Sequence, residues 1–203
     1  MPTSESDERG VTADAGTTKA RIERAALTLF CAKGVDAVTT REIAAASGVS
    51  EGALYRHFTS KESLAETMFS AIHKRLGESI RKAAAGGRTI EETARAIVAG
   101  YAAVADEDWP LFAYHLLTTH RFLPFTDASA RNSADNPVTL VEDIIGAAMD
   151  RGELAKGDAA FKAAAALGVV LQTALHKKYG RIEGGLASRA GALGDAVIAV
   201  LKA

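Results

Sequence analysis

The chain has one cysteine, one tryptophan and four prolines in 203 residues, and aromatic side chains make up only 6% of it. A lone Cys31 excludes an internal disulfide, so no covalent framework holds the fold. No second cysteine or basic cluster lies beside it in sequence, which makes it an incidental thiol rather than a redox sensor. The longest apolar run without a charge, Ala163 to Leu171, is too short to cross a bilayer. No apolar segment follows a basic stretch near the N-terminus either, so no membrane partner is expected and a cytoplasmic location is. An excess of charge of one sign is also missing. The net charge is -1, from 24 Lys/Arg against 25 Asp/Glu, which excludes a generic nucleic-acid coat. No segment alternates apolar and polar residues as a strand would, so the expected class is all-α.

Catalytic equipment is scarce as well. His57, His73, His115, His120 and His176 are the natural candidates, but no nucleophile motif, paired metal-ligand spacing or phosphate loop accompanies them. His115 and His120 do not fall on one helical face. Neither an enzyme nor a metal or cofactor is expected.

What the chain does have is an uneven distribution of charge. Residues 17–88 hold 12 Lys/Arg against 7 Asp/Glu, whereas residues 1–16 and 89–203 are each net -3. The first 16 residues, rich in Ser, Thr, Asp, Glu and Gly, read as a disordered acidic tail. The basic stretch contains Thr39 to Phe58, which reads as two short helices around a glycine turn. Thr39 followed by Glu42 is a capping box. Gly48 can take the left-handed conformation that ends a helix, and Ser50 can cap the next one. Val49, Ala53, Leu54 and Phe58 then fall on an inner side, leaving Glu51, Gly52, Tyr55, Arg56 and His57 outside. This is the helix-turn-helix pattern. A preceding helix over Lys19–Gly34 carries Ile22, Ala25, Ala26, Leu29 and Phe30 at helical spacing, and a following one has Leu64, Met68, Phe69, Ile72 and Leu76 in line.

Across residues 18–70 the sequence resembles the TetR family of transcriptional regulators. The resemblance is carried by Phe30-Cys31-Ala32-Lys33-Gly34, Thr39-Thr40-Arg41-Glu42-Ile43-Ala44, Gly48-Val49-Ser50, Gly52 to Phe58 and Ser60-Lys61-Glu62-Ser63-Leu64. It implies a three-helix DNA-binding head over residues 17–64, a long connecting helix, an effector-binding and dimerisation body over 65–203, and about nine helices in all. The implied partners are a palindromic double-stranded operator, a small-molecule effector and a second copy of the chain. The function expected is that of a repressor released by its effector, with an activator or a structural DNA-binding protein as the alternative.

Individual residues can be assigned on these grounds. Thr40 and Arg41 sit in the first turn of the helix that crosses the DNA backbone, where a hydroxyl and a guanidinium suit phosphate. Ser50, Glu51, Gly52 and Ala53 begin the reading helix, with Gly52 and Ala53 small enough to approach thymine methyl groups. Tyr55, His57 and Lys61 match family positions that contact phosphates, and Arg56 reaches either backbone or guanine. Glu51 is out of keeping with this surface; it either accepts from cytosine N4 or is repelled outward.

Beyond Gly86-Gly87 the punctuation is helical throughout. Thr89 to Glu92 is a second capping box, opening a helix with Ile90, Ala94, Ile97, Tyr101 and Val104 in line. Asp106 to Pro110 ends it and starts the next, and a polar loop is expected from Pro124 to Pro137. The resemblance puts an apolar effector pocket among the middle helices, with Tyr101, Phe112, His115, Leu116, Thr119, Phe122 and Met149 as lining and Tyr101 and His115 as polar contacts. Two small-residue stripes close the chain: Phe161, Ala164, Ala165, Gly168, Leu171 and Leu175, then Leu186, Ala190, Leu193, Val197 and Val200. Both fit the final helix pair through which family members dimerise.

Overall fold

The computed structural model describes residues 10–122 and 136–203. Its elements are α1 (Thr18–Lys33), α2 (Thr40–Ser47), α3 (Glu51–Tyr55), α4 (Lys61–Gly86), α5 (Ile90–Glu107), α6 (Trp109–Phe122), α7 (Pro137–Asp150), α8 (Ala159–Lys178), a 3₁₀ turn (Ala187–Arg189) and α9 (Ala190–Lys202). The protein is thus all-α, and no strand occurs among the described residues. Two compact units are formed, a head within Met1–Ile72 and Asp108–Leu123 and a body within His73–Glu107 and Pro124–Ala203.

In the head, Ile22, Ala26, Leu27 and Phe30 of α1 are buried together with Ile43 and Ala44 of α2, Leu54 of α3, and Phe58. The first half of α4 adds Leu64, Ala65, Met68, Phe69 and Ile72. α6 belongs to this unit although it lies far along the chain. It is fixed by polar bonds at its start, middle and end. Asp108 accepts from the Leu111 amide and pairs with Arg24 at 2.6 Å. Tyr114 donates its hydroxyl to the Ala65 carbonyl at 2.7 Å and stacks against Phe30. Arg121 reaches both carboxylate oxygens of Asp36 at 2.7 Å. Tyr114 is not among the α6 residues expected to line a pocket, yet its ring is fully buried, because the Ala65 carbonyl offsets the cost of burying a phenol. Burial pushes that phenol's pKa up.

A charge is buried in α1 as well. The Glu23 carboxylate is fully buried and accepts hydrogen bonds from the amides of Val11, Thr12 and Ala13 and from the Thr12 hydroxyl. Such a set of donors is what makes a buried carboxylate tolerable. Gly10 is required there, since a Cβ would lie 2.6 Å from a Glu23 oxygen. Of the acidic tail expected over 1–16, residues 1–9 lie outside the described residues, while residues 11–13 are held by this carboxylate.

The body has one apolar core of Ile90, Ala94, Val98, Val141, Ile145, Met149, Ala163, Val170, Leu193, Val197 and Leu201, among others. α5 opens with a variant of the expected box: the Glu92 amide donates to Thr89, but the Glu92 carboxylate takes the Arg88 amide, and Glu153 takes the amide of Ile90. The expected polar loop falls largely on residues outside the described ones; Asn136 caps α7 and Pro137 is its first residue. Asp106 accepts from the amides of Leu186 and Ala187 at 2.8 Å and so anchors the 3₁₀ turn. α8 is long and apolar enough to cross a membrane by length and composition alone, and its Ala163, Ala166, Val170 and Ala174 are buried within the body.

The two closing stripes part company here. In α8, Phe161, Ala164, Gly168 and Leu171 are exposed, with Ala165 and Leu175 half-buried. Leu186, Leu193 and Val197 of the second stripe are buried inside the chain's own body, which corrects their assignment to an association surface. The reason is geometric: α9 packs along α5 and α8, and its bulky residues are those that fill the space between them.

Candidate nucleic-acid interface

The helix-turn-helix is built by local devices. Thr39 accepts from the Glu42 amide while the Glu42 carboxylate takes the Thr39 amide at 2.8 Å, so both orphan donors of the first turn of α2 are satisfied. At its far end Gly48 adopts φ 66° and ψ 36°, a conformation costly for any residue with a Cβ. The Val49 amide then closes on the Ala44 carbonyl at 3.0 Å, and the chain reverses. Ser50 caps α3 by accepting from the Ala53 amide. α3 is only five residues long, and the amides of His57 and Phe58 finish its last turn on the Leu54 carbonyl. Ile43, Ala44, Leu54 and Phe58 bury the underside.

What remains outside is the expected row. Arg41, Ser50, Glu51, Gly52, Tyr55, Arg56 and His57 are exposed, and Thr40, Ala53 and Lys61 are half-buried. Tyr55 presents a half-exposed ring, and its hydroxyl donates to Thr40 Oγ1 at 3.4 Å. Thr40 in turn donates to Glu51 Oε2 at 3.2 Å. This chain of three side chains joins α2 to α3 and is not visible in the sequence, because Thr40 and Tyr55 are 15 positions apart. Lys61 is tied inward, its ammonium donating to the Asp36 carbonyl at 3.3 Å and lying 3.6 Å from Glu62. Beside the box, Lys33 donates to Glu42 at 2.8 Å. That bond, with the Thr39 amide and hydroxyl, holds the Glu42 carboxyl down at about 2. Cys31 is half-exposed and donates to the Pro110 carbonyl at 3.3 Å.

The seven residues expected to line an effector pocket fall in both units. Phe112 is buried in the head beside Trp109. His115 stacks on Phe69 with ring centroids 4.8 Å apart, and Phe122 meets the same ring at 5.1 Å. Thr119 spends its hydroxyl on the His115 carbonyl, and Leu116 is half-buried. Tyr101 and Met149 belong to the body core, where burial pushes the Tyr101 phenol's pKa up.

Residues 22–68 match the family profile described as "Bacterial regulatory proteins, tetR family". The HTH-type transcriptional repressor KstR2 of Rhodococcus jostii (strain RHA1) is 34% identical over 103 residues, 48% of this chain and 50% of that protein. The chain spans half the length, or less, of the curated relatives it matches. Among solved structures, the TetR family regulator PfmR from Thermus thermophilus is similar with a TM-score of 0.73 and 24% identity, over 88% of this chain and 97% of that one. The transcriptional regulator FadR from Bacillus subtilis, solved in complex with stearoyl-CoA, has a TM-score of 0.69 and 16% identity, over 89% and 97%. At these identities the likeness is one of fold. A capped helix-turn-helix with α1 and α4 on either side, followed by a helical body, defines a class of DNA-reading regulators. Residues 22–68 thus match the TetR-family DNA-binding domain, and the chain as a whole shares the fold of TetR-family regulators.

Proposed function

We propose that the protein is a homodimeric DNA-binding repressor that occupies a palindromic operator and leaves it when a small, largely apolar effector binds. The observation that carries this reading is the outer surface of the helix-turn-helix. Arg41, Ser50, Gly52, Tyr55, Arg56 and His57 stand exposed side by side on a rigid apolar underlay, within a stretch that is net basic. In this reading Arg41, Tyr55, His57 and Lys61 neutralise phosphates while Ser50 to Ala53 approach base edges and Arg56 serves either. The head over residues 17–64 reads DNA, and residues 65–203 carry the effector and the dimer contact.

Repression is favoured by the resemblance to a named repressor. An effector with an apolar chain is favoured by the aromatic surroundings of His115 and by the acyl chain of the stearoyl-CoA held in the FadR neighbour, which makes that acyl-CoA the first compound to try although its coenzyme A group is charged. A second copy is favoured by α8, where Phe161 is 72% exposed and Leu171 39%. Exposed bulky apolar residues in a line with Ala164 and Gly168 suit close packing against a symmetry-related helix.

Selection of binding sites from random DNA, followed by gel shift on the winning site with and without stearoyl-CoA, tests the reading. An enriched palindrome bound by the dimer, and lost on adding ligand, is the expected result. No enriched site would end the DNA-binding reading. A bound site that no acyl compound releases, with transcription raised rather than lowered, would favour the activator alternative.

A further inference from the structure

Glu51 is a carboxylate on the surface that this reading turns toward an anionic polymer. In the free protein it is not turned away: it is held across the groove between α2 and α3 by the Thr40 hydroxyl, whose oxygen in turn accepts from Tyr55. A hydroxyl has one hydrogen to give. While Thr40 gives its hydrogen to Glu51 it has none for a DNA phosphate, and while Tyr55 gives its own to Thr40 it is committed too. The acceptor at the end of this chain, which takes the Thr40 hydrogen, is an anionic oxygen, the same chemistry a phosphate would offer in that place. We infer that Glu51 is an internal stand-in for a DNA phosphate, competing with the DNA backbone for the Thr40 hydroxyl and lowering affinity for DNA of any sequence. The inference rests on the DNA-binding reading and makes Glu51 neither a base-reading residue nor a bare repulsive charge.

The three roles make different demands. A base reader changes sequence preference at one position per half-site. A bare charge weakens all binding regardless of whether Thr40 has its hydroxyl. A stand-in weakens all binding through Thr40, so the two residues must be coupled.

The experiment is a double-mutant cycle with Glu51→Ala and Thr40→Val, read by fluorescence anisotropy on a random-sequence duplex and on the selected operator at one fixed salt concentration. Glu51→Gln is added as the variant that keeps an acceptor and removes the charge. Glu51 is exposed and Thr40 half-buried, and circular dichroism verifies that each protein is folded. Glu51→Ala is expected to tighten binding to both duplexes by about five-fold, the size of one ordinary net hydrogen bond regained. Thr40→Val is expected to change binding by less than about two-fold when Glu51 is present and to weaken it about five-fold when Glu51 is alanine. Glu51→Gln should fall between the wild type and alanine. Equal cost of Thr40→Val in both backgrounds would overturn the inference in favour of a bare charge. A changed base in the selected site, with random-duplex affinity unmoved, would overturn it in favour of base reading. If no protein in the cycle binds either duplex, it is the DNA-binding reading that fails, and the stand-in with it.

Discussion

In α9 the bulky side chains Leu193, Val197 and Leu201 point into the body, and the outside is Gly191, Ala192, Ala196 and Ala199. In α8 the order is reversed: Ala163, Ala166 and Ala174 lie inside with Val170, while Phe161 and Leu171 are left in water. The two helices draw on the same residue types and spend them on different tasks. α9 supplies volume to the chain's own core. α8 lies close to that core through small residues and leaves large apolar groups exposed. A stripe of hydrophobic positions therefore does not by itself say whether those residues fill the chain's own core.

The largest effect expected from this contrast is on stability. Leu193→Ala should lower the free energy of unfolding by about 2–5 kcal/mol, because it removes apolar contacts and leaves a cavity in a packed core. Denaturant titration measures it, and an unchanged midpoint would break the contrast from the α9 side. Next in size is assembly. Phe161→Asp and Leu171→Asp place a charge where a partner helix should lie. Light scattering should report monomers that retain full helical content, with operator affinity falling alongside. Dimers that persist in both variants would mean that α8 is not the association face.

The head contains a second contrast, between two cations expected to meet phosphates. Arg41 is exposed, whereas Lys61 is held by the Asp36 carbonyl and Glu62. Arg41→Ala should reduce the slope of log affinity against log salt by about one unit, the signature of one lost phosphate contact. Lys61→Ala should reduce it by less. Equal reductions would show that Lys61 leaves its intramolecular partners on binding.

Much of this head was legible because its signals are local. Thr39 with Glu42, Gly48 and Ser50 act on backbone groups within a few residues, so their spacing alone fixes where α2 and α3 begin and end. The exposed row from Glu51 to His57 follows from the same helical period. What was not legible depends on residues brought together by the fold. Nothing near Glu23 in sequence announces that three amides from residues 11–13 will surround it. The burial of Tyr114 depends on a carbonyl offered by Ala65, 49 residues away. The tether from Thr40 to Glu51 spans two helices, and the inner placement of Leu193 required knowing where α5 and α8 run. The expected pocket residues follow from the resemblance, and neither it nor the helical period of each segment can tell that α6 joins the head while Tyr101 and Met149 join the body.

The smallest expected effect separates head and body by pH. His73, in the body, has its pKa lowered by burial from an ordinary 6.5, so the folded state holds it neutral while the unfolded chain takes up a proton. Its contribution to stability is present above that ordinary value and is lost as pH falls below it. Glu42, in the head, is lowered from 4.5 to about 2, chiefly by the hydrogen bond from Lys33 and then by the Thr39 amide and hydroxyl. Its contribution is present above 4.5 and is lost as pH falls from there toward 2. Because Glu42 is an exposed partner in its ion pair, the direct readout is its own titration rather than global stability. Carboxyl carbon shifts followed by NMR should give an apparent pKa near 2 for Glu42 in the wild type. Lys33→Met should raise it most, since that removes the leading cause. Thr39→Val should raise it less, because the backbone amide remains. The opposite ranking would mean that the capping box, and not the bond from α1, holds this carboxylate charged.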